Sequence, residues 1–200
     1  MADSMVASFW GPVTSTTELC EENYAHSSYI AEFFNTISNV PCILLALIGL
    51  VNAFRQGFEK RFSVLHISNM ILAIGSMIFH ATLQLVLQQS DETPMVWEIL
   101  LYIRSFLCPV PSSIQVALHW PLPPLRPSDV QVLHTDQRRG CEAACEAGHA
   151  WWHVLMGLNS YYANTFLMFC RAQQRGWEPR ITHLLGFLPY VKVQKPEKRE

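Results

Sequence analysis

Gly148-His149-Ala150-Trp151-Trp152-His153 decides how the rest of the chain is read. On an α-helix, residues i and i+4 share a face, so His149 and His153 can aim ring nitrogens at one point. The spacing is that of a two-histidine metal half-site, and equally that of a packed or hydrogen-bonded histidine pair. The next seventeen residues are apolar in character: Val154 to Cys170 holds no Asp, Glu, Lys or Arg, and carries Leu155, Met156, Leu158, Phe166, Leu167 and Phe169. Such a stretch reads as a membrane span, where histidines are rare and mark function.

Moving outward, the basic residues orient this span. Arg171, Arg175 and Arg180 come after it, and the chain closes on Lys192-Val193-Gln194-Lys195-Pro196-Glu197-Lys198-Arg199-Glu200. Positive charge gathers on the cytosolic side of a membrane, so the tail at 192–200 is expected in the cytosol and the histidine pair at the luminal end. Between them, Leu184 to Val191 is a short apolar piece, expected to be re-entrant or interfacial.

The same rule orients the first half. Ile37 to Phe54 is free of charge and long enough for a first span, and Arg55, Lys60 and Arg61 after it are expected in the cytosol. The N-terminal segment, residues 1–36, is then luminal. Phe62 to Leu87 lacks Asp, Glu, Lys and Arg as well, long enough to span with tilt, and runs from cytosol to lumen. It carries Ser76 and His80, one turn apart on one face, near its luminal end. His80 taken alone is an interhelical hydrogen-bonding residue or a functional one. Gln88 to Glu92 reads as a luminal cap, and Pro94 to Ile103 starts a third span that Arg104 interrupts.

Composition fits a membrane protein with polar parts. Half of the 200 residues are hydrophobic and 15% are charged, and the mean hydropathy is +0.15. Fourteen basic against sixteen acidic residues leave no footprint for a nucleic-acid partner. Met1 to Trp10 lacks a positive segment ahead of an apolar core, so a cleaved signal peptide is not expected. The six cysteines, Cys20, Cys42, Cys108, Cys141, Cys145 and Cys170, show no zinc-finger spacing. Within the N-terminal segment Glu18, Glu21, Glu22, Asn23 and Glu32 gather without a nearby basic residue. That is a solvated acidic face or a site for a hard cation such as calcium.

Orientation thus brings His80, His149 and His153 to one membrane level. Three imidazoles with an open fourth position make a catalytic zinc site, suited to hydrolysing an ester or amide buried in lipid. Asp91 is available to handle a proton or to orient a ligand, and Ser76 to meet water or a developing oxyanion.

At these residues the sequence resembles the alkaline ceramidases, zinc amidases of the endoplasmic reticulum and Golgi. The resemblance is carried by Phe9-Trp10-Gly11-Pro12, Cys20-Glu21-Glu22-Asn23-Tyr24, Tyr29 to Thr36, Gly75-Ser76, Phe79-His80, Asp91-Glu92, Pro94-Met95 and His149 to His153. Phe187 to Lys192 and the lysine-rich tail resemble the plant members. The resemblance implies an all-α integral membrane protein with a seven-helix bundle, of which about four spans are recognisable here. It implies cleavage of ceramide, or a related sphingolipid, to a sphingoid base and a fatty acid. It implies zinc on His80, His149 and His153, catalytic roles for Ser76 and Asp91, and calcium on Glu18, the Leu19 carbonyl, Glu21, Asn23 and Glu32. Glu18 stands where the family shows an aspartate.

The resemblance covers residues 9–103 and 148–195. Between them, where the family has the rest of its third helix and three more, residues 104–148 hold half of the chain's twelve prolines and no span pattern. The third helix leaves the chain in the cytosol while His149 begins in the lumen, so this segment has to cross an odd number of times. Its best candidate, Phe106 to Leu125, contains five prolines, whose freed backbone groups lipid cannot satisfy. A loop is the physical default. The pattern is that of an alternatively spliced or mispredicted product, and the family's disulfide from Cys20 would lose its partner. The alternative function is a catalytically inactive truncated isoform, or a receptor-like membrane protein of the same superfamily.

Overall fold

The computed structural model describes residues 8–17, 21–107 and 148–195. They form five helices and one hairpin: α1 (Phe33–Ile37), α2 (Asn39–Arg55), α3 (Lys60–Thr82), α4 (Leu85–Leu107), α5 (Gly148–Gln174), β1 (Glu178–Leu184) and β2 (Leu188–Gln194). Two stretches, Phe33–Arg55 and Lys60–Thr82, are long and apolar enough to cross a membrane. Helices α4 and α5 have the length without the same apolar character. The expected membrane character is therefore carried by α2 and α3.

Three expectations about elements change. The apolar run from Phe62 is not one helix to Leu87: it breaks where Leu83 takes a left-handed conformation (φ 49°), and α4 begins two residues later. Absence of charge cannot mark this break. It is made by tertiary contacts, since the Leu83 carbonyl accepts from the N–H groups of Thr14 (3.2 Å) and Ser15 (3.0 Å). Second, Gln88 to Glu92 is helical, lying in the first turns of α4, and the third helix runs to Leu107 through both Pro94 and Arg104. Third, the chain is mostly helical, not all-α. The piece from Leu184 to Val191 is the tip and half of an antiparallel hairpin, paired from Glu178–Gln194 to Leu184–Leu188. Its closing loop holds Leu185 and Gly186 at positive φ (54° and 83°), a region that the glycine enters without steric cost. The segment 108–147, with its predicted loop, and the residues Cys20, Cys108, Cys141 and Cys145 lie outside the described residues. Cys42 and Cys170 are free thiols.

Strand β2 lies on α2 and α5. Val191 is fully buried against Ala53, Phe62, Leu65 and Met168, and Leu188 packs with Leu45 and Tyr161. Its outer backbone edge is not left bare. In the amide orientation that satisfies both groups, Asn52 donates to the Val191 carbonyl (3.1 Å) and accepts from its N–H (3.2 Å). Gln56 Oε1 accepts from the Val193 N–H (3.0 Å), and the Tyr161 hydroxyl donates to the Pro189 carbonyl (2.8 Å). An edge covered in this way cannot recruit another strand.

The helix ends away from the histidines are clasped by one carboxylate. Glu59, just before α3, accepts from Arg171 Nε (2.8 Å) and Nη2 (2.6 Å) at the end of α5 and from Arg175, and forms an ion pair with Arg61 Nε (2.7 Å). Burial alone would raise its carboxyl, but the Arg171 hydrogen bond and the three arginine charges outweigh it and hold Glu59 below the ordinary carboxylate value.

Close approach positions α4. Pro94 has no N–H, so the Ser90 carbonyl one turn back loses its helical partner. That carbonyl is turned onto Gly75 of α3, where a Cβ would stand 2.1 Å from the Ser90 oxygen. Ser90 Oγ also donates to the Gly75 carbonyl (3.1 Å). Only a residue without a side chain admits this contact, and it seats the neighbouring Asp91 beside Ser76 at the cavity end.

Candidate metal centre

Three histidines meet at one end of the bundle. His80 stands in the last turn of α3, and His149 and His153 in the first two turns of α5. One potential ligand atom of each lies within 4.8 Å of the others, and the ring centroids are separated by 5.2 Å (80 to 149), 4.9 Å (80 to 153) and 4.5 Å (149 to 153). The pairing of residues 149 and 153 follows from helical periodicity, and the third member from the antiparallel run of α3. His80 is fully buried, and its Nε2 has no hydrogen-bond partner among the described residues. A buried, unpartnered imidazole nitrogen facing two more imidazoles fits a metal such as zinc, which is met by neutral ring nitrogens.

The far nitrogens of His80 and His153 are held. His80 Nδ1 lies 2.6 Å from Glu32 Oε2, with both side chains 1% exposed. His153 Nδ1 lies 2.8 Å from Ser38 Oγ and 3.4 Å from Asn39 Nδ2. A metal-ligating histidine is ordinarily fixed by such an oxygen on its far nitrogen. Ser76, 3% exposed, lies 3.4 Å from His153 Nε2 and accepts from Asn39 Nδ2 (3.3 Å).

Beside the histidines opens a cavity of about 400 Å³, lined at this end by Ser76, Asp91, His149, Trp152 and His153. It continues along α3, α4 and α5 to Asn69, Glu98, Tyr102 and Ser160, between walls that include Ala46, Leu72, Met95 and Met156. Ser160 Oγ donates to Glu98 (3.1 Å) and the Tyr102 hydroxyl to the Ser160 carbonyl (3.1 Å). The volume and largely apolar wall suit the reacting end of a lipid better than a small polar solute.

The five residues expected for calcium are placed differently. Glu18 and Leu19 lie outside the described residues. Glu21 is buried and its two oxygens accept the N–H groups of Phe34 (2.7 Å) and Asn35 (3.0 Å), at the start of α1. Asn23 is exposed in the loop before Tyr24. Glu32 is taken up by His80 and by Asn35 Nδ2 (3.1 Å), while its Oε1 is buried without a partner among the described residues. Sequence reasoning assigns Glu32 to a cation alone and misses Ser38 and Asn39. The signal that could have found them is a polar stripe at Asn35, Ser38 and Asn39, spaced i, i+3, i+4 at the head of an apolar run.

Comparison with known proteins gives a consistent likeness. The family model described as Ceramidase matches residues 11–123. An alkaline ceramidase of Arabidopsis thaliana is 51% identical, over 98% of this chain and 99% of its own length. That alignment spans 254 positions, so the relative carries residues that this 200-residue chain lacks. Alkaline ceramidase 3 of Mus musculus is 25% identical over 95% of this chain and 96% of its own. An alkaline ceramidase of Drosophila melanogaster is 40% identical over 43% of this chain and 31% of its own.

Proposed function

The chain belongs to the alkaline ceramidase family, and from that membership we propose that it hydrolyses the amide bond of ceramide at its three-histidine centre, with zinc as the metal. Family membership at this identity makes it a ceramide-hydrolysing amidohydrolase of a membrane environment. The observation that carries the zinc reading is the buried, unpartnered His80 Nε2, clustered with the nitrogens of two further histidines.

His80, His149 and His153 hold the ion. When bound, zinc supplies a Lewis acid that polarises the amide carbonyl and acidifies water. Asp91, beside Ser76 at the cavity end, takes the proton of the attacking water and returns one to the departing amine, leaving the fatty acid and the free sphingoid base. Ser76 donates to the oxygen that gains charge, with its own lone pair met by Asn39. The apolar wall excludes bulk water and takes a hydrocarbon chain of the substrate.

The histidine end is luminal, in the endoplasmic reticulum or Golgi membrane, because Arg55, Lys60, Arg61, Arg171 and Arg175 gather at the opposite end. A calcium ion is held on the luminal side by Glu18, Leu19, Glu21, Asn23 and Glu32. Support for it is the unpartnered Glu32 Oε1 and the meeting of Glu21 and Glu32 at Asn35. The function is tested by fatty-acid release from ceramide, using the detergent-solubilised full chain with and without a zinc chelator. Release that the chelator abolishes is expected. No release at all would mark an inactive, receptor-like relative, and release indifferent to the chelator would remove zinc from the mechanism.

A further inference from the structure

Ser38 stands where α1 ends and α2 begins, at a position where a serine hydroxyl ordinarily caps the new helix. It makes no side-chain cap hydrogen bond. Its hydroxyl instead donates to the Asn35 carbonyl at 2.8 Å and lies 2.8 Å from His153 Nδ1. The network around it accommodates His153 as the Nδ1–H tautomer. Ser38 has a single O–H, and that proton goes to the Asn35 carbonyl. Asn39 has two N–H groups, which go to the same carbonyl (3.0 Å) and to Ser76 Oγ (3.3 Å). In that tautomer the proton between Ser38 and His153 belongs to His153 Nδ1 and Ser38 Oγ accepts it, with Asn39 Nδ2 3.4 Å from the same nitrogen. With Nδ1 protonated, His153 presents the lone pair of Nε2, which is the nitrogen on the Ser76 side.

We propose that Ser38 is a positioning residue for the metal ligand His153: its oxygen fixes the imidazole in the Nδ1–H tautomer and so commits Nε2 to the metal. This role rests on the reading of the three histidines as a zinc centre. It assigns to His153 what Glu32 supplies to His80, a neutral oxygen in place of a carboxylate. The Asn35 carbonyl, accepting from both Ser38 and Asn39, is the fixed point that keeps the serine oxygen aimed.

The test compares zinc affinity of the purified full chain, by competition with a chromophoric chelator, for the parent, Ser38→Ala, Ser38→Cys and Ser38→Thr. Thermal unfolding of the metal-free forms is measured alongside. Ser38→Ala and Ser38→Cys are expected to weaken zinc binding by about 10- to 100-fold, with metal-free unfolding unchanged. Ser38→Thr keeps the hydroxyl and is expected to keep the parent's affinity. Should the alanine variant fail to fold, the cysteine and threonine pair carries the same comparison. Equal affinity across the series, or a loss in Ser38→Thr as large as in Ser38→Ala, overturns the proposal. A parent that binds no zinc would instead sink the zinc reading, in a separate arm of the experiment.

Discussion

Glu32 Oε2 lies 2.6 Å from His80 Nδ1 with both side chains withdrawn from solvent, so a residue of the N-terminal segment holds a histidine of α3. The contact is flanked by two backbone bonds, Ala31 N–H to the Ala81 carbonyl (2.9 Å) and Glu32 N–H to the His80 carbonyl (3.0 Å). Glu32→Gln is therefore expected to weaken zinc binding by about 10- to 100-fold, read by chelator competition. Because Glu32 is also assigned to calcium, Glu32→Ala is expected to abolish any calcium stimulation of hydrolysis as well. Asn23→Ala, in the exposed loop, is expected to remove the calcium response and spare zinc.

In the proposed mechanism Asp91 moves the proton. Asp91→Asn keeps the size of the side chain and removes the base, so kcat is expected to fall about 100- to 10,000-fold while zinc content stays at the parent's value. Loss of zinc together with activity would make Asp91 a ligand-orienting group.

Gly75 sets the distance between α3 and α4. A methyl there would meet the Ser90 carbonyl, so Gly75→Ala is expected to destabilise the protein by about 1–3 kcal/mol. Hydrolysis should fall further than the stability change alone explains, because α4 carries Asp91. Thermal unfolding and kcat of the same preparation separate the two effects.

The arginine clasp gives a pH signature at the opposite end of the bundle. The Glu59 carboxyl is held below its ordinary value near 4.5. A depressed carboxyl stabilises the fold fully above the unfolded value and loses that contribution as pH falls through the folded one. The parent is thus expected to unfold at higher temperature than Glu59→Gln near neutral pH, and the gap is expected to close on acidification below pH 4.5. A gap unchanged by acid would remove the clasp from the stability of the fold.

Much of the site is legible in the sequence because helical periodicity is local and charge bias is global. The first pairs His149 with His153, and the second puts His80 at their level. The break at Leu83 is not legible, since it is made by Thr14 and Ser15, far away in the chain. Nor is the hairpin: Leu184 to Val191 is apolar enough for an interfacial piece, and only Asn52, Gln56 and Tyr161 reveal that its backbone is met by side chains of α2 and α5. Glu32, judged by its neighbours in sequence, is a cation ligand, whereas its nearest partner in space is His80.

The central claim is that three histidines hold one zinc ion on which ceramide hydrolysis depends. Titrating zinc into the metal-stripped full chain, while measuring fatty acid released from ceramide, tests it most directly. Activity is expected to be absent without zinc, to rise in proportion to zinc added, and to level off at one equivalent per chain, with His80→Ala silent throughout. Undiminished release from the stripped protein, or a zinc-loaded protein that releases nothing, would contradict the account.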